Sequence, residues 1–128
     1  MINKSFKKMM AEANAVIETI SVSDAQNKHG APDVLFVDVR EKHELMDGGK
    51  IEDAVHAPRG FIELIVDPEG PMHNPELMSG KHLVLYCGTG GRSALAAKTL
   101  DDMGITNVSS MAGGIGAWKE NNGPIEQL

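Results

Sequence analysis

The sequence is poor in three features that would place it in a specialised class: cysteine, excess positive charge and long apolar runs. A single cysteine, Cys87, among 128 residues excludes an intramolecular disulfide, so a reduced cytoplasm is the expected location. The formal net charge of −6 argues against general nucleic-acid binding, and an anionic substrate would therefore need local cations. No apolar run approaches the roughly 20 residues that cross a membrane.

The N-terminal segment places apolar side chains at helical spacing, namely at Phe6, Met9, Met10, Ala13, Val16, Ile17 and Ile20. An organelle-targeting helix or a membrane-surface helix would show the same spacing. Glu12 and Glu18 fit such targeting segments poorly, because transit peptides avoid acidic residues. We therefore expect a helix that packs against its own domain.

Two continuous apolar runs, "VLFV" (34–37) and "HLVLY" (82–86), are typical of strands buried on both faces of a parallel sheet. Helical patterns alternate with these and with weaker strands along the chain. This alternation predicts an α/β fold with an open, mostly parallel sheet and helices on both faces. Ligands of such sheets bind beyond the carboxyl ends of the strands, which is where Asp38 and Cys87 lie.

The weaker elements are less sharply defined by the pattern. Ser23 with Gln26 matches a capping box at the start of a short helix. "IEDAVHA" (51–57) indicates one weak strand, whereas "FIELIVD" (61–67) is compatible with a helix or a strand. A longer helix is predicted over 93–103, directly after the cysteine loop.

The loop "CGTGGRS" follows the second apolar run. Gly88, Gly90 and Gly91 permit positive φ angles and close approach of a ligand to the backbone. A tight loop that leads into a helix points N–H groups inward as an anion cradle, and Arg92 adds a full charge with a planar donor fork. Cysteines in such settings have pKa values of roughly 3.5–7.5, against about 8.5 when free. Cys87 is therefore a candidate nucleophile.

Three other interpretations of the same loop compete with this one, and the sequence rejects the first, a dinucleotide site. "GTGGRS" has the first two glycines of a dinucleotide fingerprint, but Ser93 occupies the third position and no acidic residue follows about 20 positions later. A phosphatase-like enzyme acting on phosphate or arsenate would also need a cysteine, a loop and an arginine. Cys87 could alternatively be a small buried hydrophobic residue. Nothing in the sequence places a histidine beside Cys87, and one cysteine without close partners is far from metal-ligand spacing.

Three further charged residues are candidate site residues at the edge of the sheet where Cys87 lies. Asp38 and Arg40 lie at a strand end. We expect them to form an ion pair that supports the structure, rather than to act in catalysis. Arg59, in "HAPRG", is either a possible second anion contact for a donor such as thiosulfate or a solvated arginine of a turn.

Three segments together resemble the rhodanese family of sulfurtransferases: "VLFVDVREKHEL", "YCGTGGRSALAAKTL" and "MAGGIGAWKENNGPIE". Their order and spacing also agree with that family. The resemblance implies a rhodanese-like domain at 17–126 with a sheet of about five strands. Residues 1–16 would then be an N-terminal helical extension and residues 127–128 a tail.

The resemblance also implies a site and an activity. Cys87 would take a sulfane sulfur from thiosulfate or a similar small anionic donor and pass it to cyanide, a thiol or a protein cysteine, with no cofactor. The cradle for the persulfide would be the backbone of Gly88, Thr89, Gly90, Gly91 and Arg92 with the N–H of Ser93. The phosphatase relatives of the family have a loop longer by one residue, whereas Cys87 to Arg92 spans the six residues of the sulfurtransferases. A non-catalytic module that binds an anion or a partner and an enzyme of phosphatase or arsenate-reductase type remain the alternatives.

The chain departs from the family pattern in two places. Where many members have Gly-His-Ile-Pro-Gly-Ala, this chain has "GKIEDA" (49–54), which predicts a local change of the backbone. Gly91 leaves the loop with less side-chain bulk than many members have.

Overall fold

The computed structural model describes all 128 residues, and helices and strands alternate along most of the chain. The six helices are α1 (Phe6–Val16), α2 (Val22–Lys28), α3 (Lys42–Gly48), α4 (Ile62–Val66), α5 (Gly91–Asp102) and α6 (Gly114–Glu120). The seven strands are β1 (Glu18–Ile20), β2 (Val34–Asp38), β3 (Lys50–Ile51), β4 (Val55–His56), β5 (His82–Tyr86), β6 (Val108–Met111) and β7 (Ile125–Glu126). Short 3₁₀ turns lie at Arg59–Phe61 and Pro75–Met78. None of the six helices combines the length and the apolar character needed to cross a bilayer.

Five strands form one parallel sheet in the order β1-β6-β5-β2-β4, and β3 pairs with β7 in a separate antiparallel ribbon. The expected α/β fold with an open, mostly parallel sheet is confirmed. The central strands β2 and β5 pair in register, so that Asp38 lies opposite Tyr86 at their carboxyl ends. The loops after these two strands therefore emerge side by side at one edge of the sheet.

Both faces of the sheet are covered, as the continuous apolar runs predict. Along β5, Leu83 and Leu85 contact one core together with α4 and α5, whereas Val84 and Tyr86 contact a second core with α2 and α6. Trp118 of α6 is fully buried in the second core. The alternation follows from the two-residue period of a strand, and it fixes the sheet between two layers of helices.

The N-terminal helix packs against α5, as expected for a helix of its own domain. It is shorter than its apolar spacing suggests, because the chain becomes extended at Ile17 and continues as β1. β1 pairs with the edge of β6, from Glu18 opposite Ser109 to Ile20 opposite Met111. Pairing with an open sheet edge satisfies the backbone there, and it overrides the helical periodicity.

The predicted start of α2 is wrong by two residues. Ser21, rather than Ser23, caps the helix: its hydroxyl accepts the N–H of Asp24 at 3.0 Å from an extended backbone with φ −75°. Ser21 takes this position because it directly follows β1 and is already extended, the conformation that an N-cap requires. Ser23 lies inside the helix.

The predicted single strand at 51–57 is also wrong, because the segment divides between two sheets. β3 joins the ribbon with β7, and β4 joins the edge of the main sheet beside β2. Asp53, between them, has a φ of +66°, a left-handed turn within the segment where "GKIEDA" predicts a backbone change. The ambiguous segment at 61–67 forms the last residue of a 3₁₀ turn and then α4.

Candidate active site

Cys87 is the first residue after β5, and its sulfur faces the start of α5. Its Sγ accepts the N–H of Gly90 at 3.1 Å and the N–H of Ser93 at 3.4 Å. The residue exposes only 1% of its surface, so a reagent must fit between the groups of the loop to reach the sulfur. Backbone donors at a helix N-terminus favour negative charge, and the sulfur lies where a thiolate or persulfide gains most from them.

The loop reaches this geometry through the conformation of Gly90. This residue caps α5 with φ +113°, a left-handed angle that side-chain-bearing residues rarely adopt. Its carbonyl accepts the N–H of Ala94 at 3.2 Å, so the helix begins at Gly91, two residues before the predicted start at 93. The earlier start brings the first turn of α5 against the sulfur.

A second helix terminus supports the loop from behind. Ile115 and Gly116, at the start of α6, donate their N–H groups to the carbonyls of Cys87 at 2.9 Å and Gly88 at 3.3 Å. Gly114 makes this approach possible, since a Cβ there would lie 2.5 Å from the Cys87 carbonyl oxygen. A trans peptide points its N–H opposite its carbonyl, and the N–H groups of Gly88 and Thr89 are thereby turned away from α6.

Ser93 adds a hydroxyl to the backbone donors. Its Oγ lies 3.6 Å from the sulfur of Cys87, 3.2 Å from the Gly90 carbonyl oxygen and 2.9 Å from the Oγ of Ser110. Both serines are buried, so this hydroxyl pair is held away from water beneath the sulfur. Ser110 comes from β6, which ties the cradle to the next strand of the sheet.

The balance of these groups lowers the pKa of the Cys87 thiol below its ordinary value. Burial is the largest influence and acts in the opposite direction, because it disfavours the charged form. The Ser93 hydroxyl and the N–H groups of Ser93, Gly90 and Thr89 together outweigh it. The thiolate is thus stabilised mainly by dipoles of the loop.

Arg92 does not supply the free local charge expected from the sequence. Its guanidinium forms two bonds with the Glu44 carboxylate of α3, Nη1 to Oε1 at 2.6 Å and Nη2 to Oε2 at 3.0 Å. The Glu44 carboxylate raises the pKa of Arg92, and the nearby Cys87 thiolate raises it further to a smaller extent. Reciprocally, the bond from Arg92 holds the pKa of Glu44 below its usual value. The only cation of the loop therefore has an anionic partner in place.

Asp38 and Arg40 form a second ion pair at the end of β2. Arg40 donates to both carboxylate oxygens, with Nη2 to Oδ2 at 2.8 Å, and the same Nη2 donates to the Gly49 carbonyl at 2.7 Å. The His56 ring is hydrogen-bonded to the Arg40 carbonyl at 2.7 Å. This geometry supports the interpretation that the pair fixes the strand end and the adjoining loop.

Arg59 lies apart from the cysteine loop. Its Nη2 donates to the Thr99 hydroxyl at 3.4 Å, and the residue lines a cavity of about 550 Å³ between α1 and α5. No residue of the cysteine loop lines that cavity. A contact of Arg59 with a sulfur donor therefore stays a prediction from the sequence.

None of the five histidines hydrogen-bonds to Cys87. The His, Cys, Asp and Glu side chains do not form a group of three or more that could hold a metal ion. The site consists of backbone N–H groups, one hydroxyl pair and one ion pair around a single sulfur.

Three contributors to the site were not assigned from the sequence: Glu44, Ser110 and Gly114. Gly114 belongs to the "GGIGAW" segment, whose paired glycines mark a backbone constraint but do not show which loop approaches them. Ser110 is one of two adjacent buried serines in β6, and buried hydroxyls are a signal for a hydrogen-bond partner. Glu44 lies 48 residues from Arg92 and carries no local signal of their contact.

The comparisons with known proteins agree on one family. Residues 21–121 match the family model of the rhodanese-like domain. A sulfurtransferase of Allochromatium vinosum is 34% identical over 110 residues, which cover 86% of this chain and 94% of that protein.

Solved structures with the same fold include two that are similar over nearly the whole chain. A Rhodopseudomonas palustris protein of unknown function, described as a possible tyrosine phosphatase, is 44% identical with a TM-score of 0.95, covering 98% of this chain and 97% of that one. The polysulfide-sulfur transferase homodimer of Wolinella succinogenes is 29% identical with a TM-score of 0.70, covering 96% and 88% of the two chains.

Proposed function

Because the chain belongs to the family of rhodanese-like domains, we propose that it is a sulfurtransferase that carries sulfur as a persulfide on Cys87. The observation that carries this proposal is the sulfur of Cys87 at the start of α5, where it accepts the N–H groups of Gly90 and Ser93. The relatives described as transferring sulfur, in A. vinosum and W. succinogenes, support the same chemistry.

In the first half-reaction the Cys87 thiolate attacks the outer sulfur of thiosulfate or a similar donor. A bond forms between Sγ and that outer sulfur, the sulfur–sulfur bond of thiosulfate breaks, and its electron pair leaves with sulfite. The lowered pKa of Cys87 provides the thiolate that the attack requires. The negative charge then lies on the outer sulfur, where the N–H groups of the loop can stabilise it.

In the second half-reaction a thiophilic acceptor attacks the outer sulfur. Cyanide would leave as thiocyanate, and a thiol or a protein cysteine would leave as a new persulfide. In each case the electron pair of the broken bond returns to Cys87 as a thiolate. A covalent intermediate of this kind predicts double-displacement kinetics.

We propose a small anionic sulfur donor and a thiol-type acceptor as the partners of this site. A reduced cytoplasm is the compartment we propose, since a chain with one cysteine depends on a free thiol.

The test is to incubate the protein with thiosulfate, and separately with an alkyl persulfide, and to measure its intact mass. We expect a gain of one sulfur atom that cyanide removes. Cys87→Ser is the matched control, since it keeps a similar volume without the thiol. Absence of the gain with both donors, or a gain that remains in Cys87→Ser, would contradict the proposal.

An enzyme of phosphatase type is the second candidate, because the R. palustris structure is described as a possible tyrosine phosphatase. Two features of this chain disfavour it: the six-residue span from Cys87 to Arg92, and the occupation of the Arg92 donor fork by Glu44. Hydrolysis of an aryl phosphate by the wild type, and its loss in Cys87→Ser, would favour the phosphatase instead.

A non-catalytic module that binds an anion or a partner would use the same loop without turnover. Thiocyanate release from thiosulfate or an alkyl persulfide in the presence of cyanide separates the two functions. A sulfurtransferase gives release above the Cys87→Ser background, and a binding module gives none.

A further inference from the structure

The contact between Glu44 and Arg92 determines how much charge a sulfur donor meets at the loop. The guanidinium and the carboxylate are joined by two parallel bonds of 2.6 and 3.0 Å, the geometry in which an arginine matches a carboxylate best. Both side chains remain partly open to solvent, with 43% of Arg92 and 26% of Glu44 exposed. The pair is thus at the surface of the site, where an incoming donor can reach it.

Glu44 is held in this position by the frame of α3. It is the third residue of the helix, and its Oε1 also accepts the N–H of Glu41 at 3.3 Å in a capping box. The opposite end of α3 is fixed by Arg40, which donates to the carbonyl of Gly49 at 2.7 Å. The carboxylate therefore faces Arg92 from a short helix that is fixed at both ends.

No other cation compensates for this neutralisation at the loop. Arg40 is buried against Asp38, and Arg59 donates to Thr99 beside a separate cavity. The side chains that hydrogen-bond to loop residues 87–93 are those of Glu44, Ser93 and Ser110. None of these three side chains carries a positive charge. The sulfur thus lies in a cradle rich in dipoles and without net positive charge from its side chains.

We propose that Glu44 is a specificity-determining residue that selects against dianionic donors such as thiosulfate and in favour of organic persulfides. A sulfonate group that approached Arg92 would have to displace the Glu44 carboxylate or remain beside it, and like charges at contact distance repel. An alkyl persulfide, R–S–SH, has no sulfonate group and carries at most one negative charge, so it depends less on a cation at this position. This inference rests on the proposed sulfur transfer at Cys87.

The favoured step balances without a further reactant. The Cys87 thiolate forms a bond to the outer sulfur of R–S–SH, the single sulfur–sulfur bond of the donor breaks, and its electron pair leaves with the inner sulfur as the thiolate R–S⁻. The proton stays on the transferred sulfur, which then lies against the N–H groups of the loop. The leaving group carries one charge, whereas sulfite carries two, so the step depends less on a free arginine.

The test compares Glu44→Gln with the wild type in persulfide formation from thiosulfate and from an alkyl persulfide whose alkyl group carries no charge. Glutamine keeps the capping box, since Glu and Gln both serve at that position. We expect kcat/KM for thiosulfate to rise about tenfold, mostly through KM, as one repulsive charge is removed beside a freed arginine. The value for the alkyl persulfide should change less than about twofold.

Two further variants separate charge at the site from other effects. Asp47→Asn removes one charge from the exposed face of the same helix, where Asp47 makes no ion pair or side-chain hydrogen bond. It should leave kcat/KM for both donors unchanged. Glu44→Gln combined with Arg92→Gln should lose the gain for thiosulfate, because that gain requires the guanidinium.

The outcomes distinguish this inference from the proposed function. If Glu44→Gln slows sulfur loading from both donors equally, or leaves the ratio of their kcat/KM values unchanged, Glu44 only positions Arg92. The proposed selection between donors is then refuted, while sulfur transfer at Cys87 still stands. If the gain survives in the double variant, Arg92 is not its source and the selection is likewise refuted. If neither donor loads the wild type, the transfer itself is contradicted, and the selection falls with it.

Discussion

The ends of β2 and β5 lie side by side in the sheet, yet the charges and donors at the two ends are arranged differently. At the end of β2, Asp38 and Arg40 are almost fully buried, with side-chain exposures of 0% and 6%, and Arg40 Nη2 also donates to the Gly49 carbonyl. At the end of β5, the backbone N–H groups are aimed at the sulfur of Cys87, and the ion pair above it is partly open.

The difference separates structural support from reactivity. A buried pair whose Nε and Nη2 donors are held by the carboxylate and a backbone carbonyl keeps one geometry. A partly exposed pair contributes little to stability and can exchange partners with a solute. Substitutions at the two strand ends should therefore affect different properties, stability at β2 and chemistry at β5.

The largest loss of stability is expected at the end of β2. Asp38→Asn leaves the buried guanidinium of Arg40 without its counter-charge and should lower the free energy of unfolding by about 3–5 kcal/mol. Urea unfolding followed by circular dichroism measures this change. The matched control is Asp102→Asn, which breaks the exposed pair with Lys98 and should cost less than about 1 kcal/mol. Equal losses in both variants would remove the distinction between the two strand ends.

The next effect concerns the support of the cysteine loop by α6. Gly114→Ala places a methyl group against the Cys87 and Gly88 carbonyls at a φ of +60°, which should cost about 1–3 kcal/mol and abolish sulfur loading. Gly104→Ala has a similarly positive φ of +92° but open space around the added methyl, and it should cost about 1 kcal/mol with loading intact. Unfolding and intact-mass measurements on both variants test this, and full loading in a folded Gly114→Ala protein would contradict it.

A smaller effect is expected when the hydroxyl beside the sulfur is removed. Ser93→Ala keeps the backbone N–H but loses the Oγ that favours the thiolate, so the pKa of Cys87 should rise. The rate of thiol alkylation, measured against pH, gives the titration midpoint of Cys87. Sulfur loading at neutral pH should slow several-fold. Ser79→Ala, which removes an exposed hydroxyl bonded to the Glu76 carbonyl, is the control and should leave the midpoint in place. An unshifted midpoint in Ser93→Ala would show that the backbone donors alone set the pKa.

The smallest effect on stability is expected at the partly exposed ion pair of Glu44 and Arg92. The bond from Arg92 lowers the pKa of Glu44, so the pair stabilises the fold above the ordinary carboxyl pKa and loses this contribution as pH falls through the lowered value. Glu44→Gln should therefore cost less than about 1 kcal/mol at neutral pH. The difference from the wild type should vanish in acid. Unfolding measured from neutral to acidic pH checks the sign, and a difference that grows in acid would contradict it.

The parts of this site that the sequence predicts are those encoded locally. Cys87 and its glycines follow one apolar strand directly, and the strand end at Asp38 has the same kind of signal. The partner of Arg92 was not predicted, because Glu44 approaches only when α3 and α5 pack at one edge of the sheet. The same reason explains the error at 51–57, since a turn at Asp53 and pairing with two different strands are tertiary features.

The measurement that tests the central claim most directly is a single turnover of sulfur already held by the protein. The chain is loaded with an alkyl persulfide, freed of donor by gel filtration and then mixed with cyanide. We expect one thiocyanate per loaded chain, return of the protein to its original mass, and no thiocyanate from Cys87→Ser carried through the same steps. Thiocyanate that appears only while donor remains in solution would contradict a persulfide carried on Cys87.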